Sequence, residues 1–107
     1  MSARVRTQVG EERAGHPAPA SVIATRAQIA KAVTAVTSTW NEVFIGMIRT
    51  LRFTPTTTPR GTLIHFHGGG FRVGCPEMTA SFAAALAKRC AVEVLCPAYR
   101  LAPEYPF

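Results

Sequence analysis

The residues best placed to do chemistry are His67-Gly68-Gly69-Gly70-Phe71, which follow the apolar run Thr62-Leu63-Ile64-His65-Phe66 directly. A strand that ends in consecutive glycines brings bare backbone N–H groups to the mouth of a sheet. Such groups can hold an anion, or an oxygen that becomes one during a reaction. Spacing narrows the choice. A phosphate loop needs Gly-Lys-Ser/Thr after its glycines, whereas Phe71-Arg72-Val73-Gly74 follows here. A dinucleotide loop needs glycine at its first, third and sixth positions, and the sixth position counted from Gly68 is Val73. An oxyanion pocket for acyl transfer remains, beside a purely steric turn. Amides free of side chains can meet developing negative charge without reorganising.

Other reactive groups are weaker candidates. His65 and His67 form an H-x-H pair on one strand face, with Cys75 and Glu77 close in sequence. Two imidazoles at that spacing can share a metal. With no evident third ligand, His65 is read as a core or pocket-lining residue and His67 as part of the loop, and no metal or cofactor is expected. Cys75 follows the glycine loop without a free histidine or acidic partner, which argues against a thiol nucleophile.

The elements that must position the loop follow from pattern. Met1 to Ala20 is polar, basic and broken by Gly10, Gly15, Pro17 and Pro19, which predicts a loose tail over 1–20. Ser21 is suited to cap a helix running to about Thr37 within a cap-like segment, 21–40. Its apolar set is Val22, Ile23, Ile29, Ala30, Val33 and Val36, with Arg26 and Lys31 outside it. Such a helix docks on a core or caps a pocket more readily than it lies on a membrane. Phe44 to Thr54 predicts a strand that Gly46 can split in two. Thr62 to His67 predicts a short strand of the fully buried kind. Pro76 to Thr79 opens a helix whose buried face is Phe82, Ala83, Leu86, Ala87 and Cys90, with Lys88 and Arg89 in its last turn. Ala91 to Pro97 predicts a second buried strand. Strand, glycine turn, helix and strand make one βαβ unit, and hence an α/β fold over 41–107.

The bulk numbers set limits. At 107 residues, one small domain is the prior, and 48% apolar content argues for a packed core. Lys plus Arg number 12 against 6 Glu and no Asp, a net charge of +6. The basic residues are scattered and not interleaved with stacked aromatics, so no nucleic-acid partner is expected. Cys75, Cys90 and Cys96 give neither a disulfide framework nor a C-x-x-C pair, and Cys90 and Cys96 read as small core residues. A reducing, cytoplasmic setting is the default. No secretory signal or membrane-span pattern is evident.

His67-Gly68-Gly69-Gly70-Phe71 followed by Tyr99-Arg100-Leu101-Ala102-Pro103-Glu104 resembles the hormone-sensitive-lipase-like branch of the α/β-hydrolases. The two motifs stand in that family's order, separated by one helix and one strand. The resemblance implies the early strands of an α/β-hydrolase sheet, an incomplete one. It further implies that the Gly69 and Gly70 amides form part of an oxyanion hole, that Gly68 lets the chain turn, and that His67 fixes the loop without being the catalytic base. Tyr99, Arg100, Pro103 and Glu104 would form a structural clamp, with Arg100 and Glu104 pairing or bonding to backbone in a buried region and Ala102-Pro103 a candidate cis bond.

The family's nucleophile lies in a later Gly-Asp-Ser-Ala-Gly elbow, followed by an acid and then a histidine. Here the serines are Ser2, Ser21, Ser38 and Ser81, none in such an elbow, and no histidine follows His67. Ala98 also stands where the family usually has Asp. The expectation is an N-terminal portion of a serine carboxylesterase or lipase acting on small ester substrates, inactive by itself. The alternative is a non-catalytic binding or chain-complementing module on the same half-fold. The edges of the Thr62 and Val92 strands would then be open to self-association.

Overall fold

The structure is a computed structural model and describes residues 15–106. Fourteen residues of the predicted tail therefore lie outside the described residues. In chain order the elements are α1 (Ala20–Val33), β1 (Asn41–Ile45), β2 (Ile48–Phe53), β3 (Thr62–Ile64), a 3-10 turn (Pro76–Thr79), α2 (Ala80–Cys90) and β4 (Glu93–Pro97). The strands form one mixed sheet in the order β1-β2-β4-β3. β1 and β2 make an antiparallel hairpin, with Ile45 opposite Ile48. Gly46, at φ +61°, turns between them, so the single 44–54 run divides where glycine permits a left-handed backbone.

β2 pairs antiparallel with β4, placing Leu51 opposite Cys96 and Phe53 opposite Val94. β3 pairs parallel with β4, with Leu63 opposite Val94, and α2 supplies the crossover a parallel pair requires. The α/β class and the βαβ unit are thus as expected. Alternate residues of the two inner strands, Leu51, Phe53, Val94 and Cys96, meet Ala80, Ala83 and Ala87 of α2 to form the core. Small alanines on the helix let it lie close to the sheet. Val36, Trp40, Ala84, Leu86 and Val92 pack around that cluster, and the Trp40 and Phe53 rings lie 6.0 Å apart.

Several expectations need correction. β3 is exposed along its length, with Ile64 55% accessible, because α2 covers the opposite face of the sheet and β3 has a neighbour on one side only. β4, the Val92 strand, is interior and not an edge. α1 starts after Pro19, not Ser21, and ends at Val33. Thr79 directly precedes α2, and its hydroxyl donates to the Pro76 carbonyl at 2.9 Å. Cys90 and Phe82 are exposed, since the narrow stripe of alanines, and not the whole apolar set, faces the sheet.

Candidate oxyanion-binding loop

The glycine loop leaves the C-terminal end of β3, where the His65 amide makes a last sheet bond to the Leu95 carbonyl, at 2.8 Å. His67 is buried at 4% accessibility. Its Nδ1–H donates to the Gly68 carbonyl at 2.7 Å. The Tyr99 hydroxyl donates to the His67 carbonyl, and the two rings stack at 4.3 Å with a 14° tilt. Burial pushes the Tyr99 phenol above its ordinary pKa, so it remains a donor.

Beyond His67 the chain folds back on itself. The Gly69 carbonyl accepts the N–H groups of Arg72 and Val73, both at 3.2 Å. Gly69 has φ +130°, and a Cβ there would stand 2.0 Å from the Val73 carbonyl oxygen. Gly74, at φ +103°, passes so near the His67 ring that a Cβ would meet Nδ1 at 2.8 Å. These two positions require glycine sterically. Among the described residues, neither the Gly69 nor the Gly70 N–H is given to another group, while the His67, Gly68 and Gly69 carbonyls are engaged. Two spare donors on an exposed, braced turn can meet an oxyanion.

The segment after β4 holds the loop from the other side. The Ala102 amide donates to the Phe71 carbonyl at 2.7 Å, and Ala102-Pro103 is a cis peptide, as the sequence suggested. Tyr99 and Phe71 rings lie 6.0 Å apart. The expected partnership of Arg100 and Glu104 is not found. Arg100 is exposed and lies over the Tyr105 ring at 5.0 Å, whereas Glu104 is bound by Arg26 at 2.6 Å. The cause is chain path: the turn at Pro103 directs the two charges to different neighbours. The Arg26 hydrogen bond holds the Glu104 carboxyl below its usual pKa. Arg26, which sequence reasoning placed only outside the helix's apolar set, is the residue that reasoning missed. Its partner lies 78 positions away, and no local pattern signals such a pair.

The other reactive groups stand apart from this arrangement. His65 points to the α2 side, its ring 5.4 Å from Phe82, with a buried Nδ1 that has no partner among the described residues. No group of three metal-binding side chains gathers among the described residues. Cys75 has its thiol pKa raised, chiefly by burial and then by the Glu77 charge, which disfavours a thiolate. Glu77 is held below the ordinary carboxylate pKa. Burial opposes that shift, but the 2.7 Å contact with Arg49 outweighs it.

Comparison with known proteins places the chain among similar folds and sequences. The family model for the alpha/beta hydrolase fold matches residues 63–107. An arylesterase of Saccharolobus solfataricus is 40% identical over 50 residues, covering 47% of this chain and 16% of that protein. A solved carboxylesterase, EstE1, from a metagenomic library superposes with a TM-score of 0.70 at 29% identity, over 82% of this chain and 34% of that one. A hormone-sensitive lipase from a metagenome library gives 0.72 at 24% identity, over 100% and 38%. An esterase from Pyrobaculum calidifontis gives 0.71 at 24%, over 100% and 39%. The chain thus spans well under half the length of each of these relatives. Matched in sequence from β3 onward and in topology throughout, the chain has the α/β-hydrolase fold and is similar to hormone-sensitive-lipase-like esterases.

Proposed function

We propose that the loop Gly68-Gly69-Gly70 supplies oxyanion donors for hydrolysis of small carboxylic esters. The observation that carries this is the pair of uncommitted Gly69 and Gly70 amides on a turn whose Gly68 and Gly69 carbonyls are bonded. In such a reaction a serine attacks the ester carbonyl, the carbonyl oxygen gains negative charge, and fixed N–H groups stabilise it. His67, with its Nδ1 bound to the Gly68 carbonyl and its ring stacked on Tyr99, serves to brace the loop and does not act as a base. Tyr99, Pro103 and Glu104 form the clamp behind the loop. Arg100 adds a stacked cation at its margin.

The 107 residues contain no Asp and no serine set in a nucleophile elbow. This chain therefore carries the oxyanion half of the chemistry and needs a nucleophile, acid and base from elsewhere. Purified chain is expected to leave p-nitrophenyl butyrate unhydrolysed above the rate of a mock preparation. The same residues 41–107, grafted in place of the matching segment of the Pyrobaculum calidifontis esterase, are expected to support turnover. Turnover by the isolated chain, or a folded graft without turnover, contradicts the proposal. No helix among the described residues is long and apolar enough to cross a membrane. The three free cysteines suit the reducing cytoplasmic setting proposed here.

A second function, chain complementation, is favoured by the unpaired outer edge of β3 and the bare side chains of Leu63, Ile64 and Phe66. Sedimentation distinguishes it: a monomer with cooperative unfolding at all concentrations counts against it.

A further inference from the structure

α1 has little apolar surface with which to dock. Val22 is its one buried residue, and Ile23 is 56% exposed. What ties the helix down is polar, and most of it is Arg26. The guanidinium makes four hydrogen bonds to three residues. Nη1 donates to Glu104 Oε2 at 2.6 Å, Nη2 to Glu104 Oε1 at 3.0 Å and to the Ala102 carbonyl at 2.9 Å, and Nε to the Arg72 carbonyl at 2.9 Å. One planar group thus joins the N-terminal helix, the glycine loop and the turn at Pro103. The amide of His16, just before the helix, adds a bond to the Pro103 carbonyl at 2.8 Å.

The two loop bonds that Arg26 reinforces run in the same direction. Arg72 gives its N–H to Gly69 and its carbonyl to Arg26, while Ala102 gives its N–H to Phe71 and its carbonyl to Arg26. Removing Arg26 leaves both carbonyls without that donor and Glu104 without its counter-ion. An isolated surface ion pair contributes little, but a fork bonded on every nitrogen restrains orientation as well as distance. Lysine could replace the charge and not the fork.

We propose that Arg26 is a positioning residue for the glycine loop, coupling the docking of α1 to the presentation of the Gly69 and Gly70 amides; its functional meaning rests on the oxyanion role proposed above. When α1 is seated, Arg26 fixes the Arg72 carbonyl and so the return of the loop. When α1 lifts away, the loop loses that restraint while the sheet does not.

Amide hydrogen exchange on the full chain, resolved by NMR, tests this. The amides of Arg72, Val73 and Ala102 report loop order, and those of Leu51 and Val94 report the sheet. In R26Q the loop amides are expected to exchange about ten- to a hundredfold faster, with sheet amides unchanged and the Gly69 and Gly70 resonances shifted. R26K is expected to recover only part of that protection, and E104Q, which keeps the arginine but removes its counter-charge, to move the same amides by a smaller factor. Unchanged loop exchange in R26K and E104Q, full recovery in R26K, or equal acceleration of loop and sheet overturns the proposal. Exchange reads the loop's order and not its use, so an ester-hydrolysis result against the oxyanion role would leave this outcome standing, and the reverse also holds.

Discussion

Gly69→Ala is expected to cost this fold far more than Gly70→Ala, although the residues are neighbours in one turn. At Gly70 the backbone has φ +62° and a Cβ would meet nothing within 4 Å. Alanine there costs only the left-handed penalty of about 1 kcal/mol. At Gly69, φ is +130°, a region L residues rarely adopt, and the new Cβ would lie 2.0 Å from the Val73 carbonyl oxygen. Ordinary contact begins near 3.4 Å, so that carbonyl must recede by the difference, about 1.4 Å. The displacement strains the bond from the Val73 N–H to the Gly69 carbonyl. Backbone strain of about 1–3 kcal/mol and one lost hydrogen bond of about 1 kcal/mol give about 2–4 kcal/mol. Thermal unfolding followed by far-UV circular dichroism measures both variants. Relative to Gly70→Ala, Gly69→Ala should lower the melting temperature by a further ~10 °C, taking a gap of about 2 kcal/mol. Equal losses, or a larger loss at Gly70, would refute the steric reasoning.

Leu51→Ala, at a fully buried core position, should cost about 2–5 kcal/mol, whereas Ile64→Ala on exposed β3 should stay within about 0.5 kcal/mol; urea midpoints compare them. The Glu77 carboxyl, held below its ordinary pKa, stabilises the fold above pH 4.5, and that contribution disappears as pH falls through the depressed value. Thermal midpoints should therefore drop below pH 4.5 in the native chain, and drop less in Glu77→Gln. Cys90, exposed, should react first with a disulfide reagent. Cys75, with its raised thiol pKa, should react more slowly, and buried Cys96 only on unfolding; three equal rates would contradict the burial pattern.

Much of the fold was legible because local chemistry dictates it. Gly46 divides a strand run, the glycines after Phe66 end a strand, and Lys88 and Arg89 close a helix. What local pattern could not supply was the environment on each side of an element. The apolar string from Thr62 to Phe66 is compatible with cover on both faces, yet burial depends on which neighbours arrive, and α2 takes only one face. Tyr99 and His67 were each identified as parts of the site, but their stacking follows from the parallel run of β3 and β4, which brings the two strand ends together. The pairing of Glu104 with Arg26 was hidden for the same reason, since it joins segments with no shared pattern. Arg100, next to Glu104 in motif, was the natural local partner and turned to Tyr105 instead.

The central claim is that the Gly69 and Gly70 amides stabilise an oxyanion, and kcat in the grafted esterase tests it most directly. With residues 41–107 of this chain in place, Gly69→Ala keeps the N–H but displaces the turn that aims it, and should lower kcat for p-nitrophenyl butyrate by about a hundred- to a thousandfold with KM nearly unchanged, the size expected when one oxyanion donor no longer reaches its target. A folded Gly69→Ala graft that keeps its kcat, or one that changes only KM, would contradict the account.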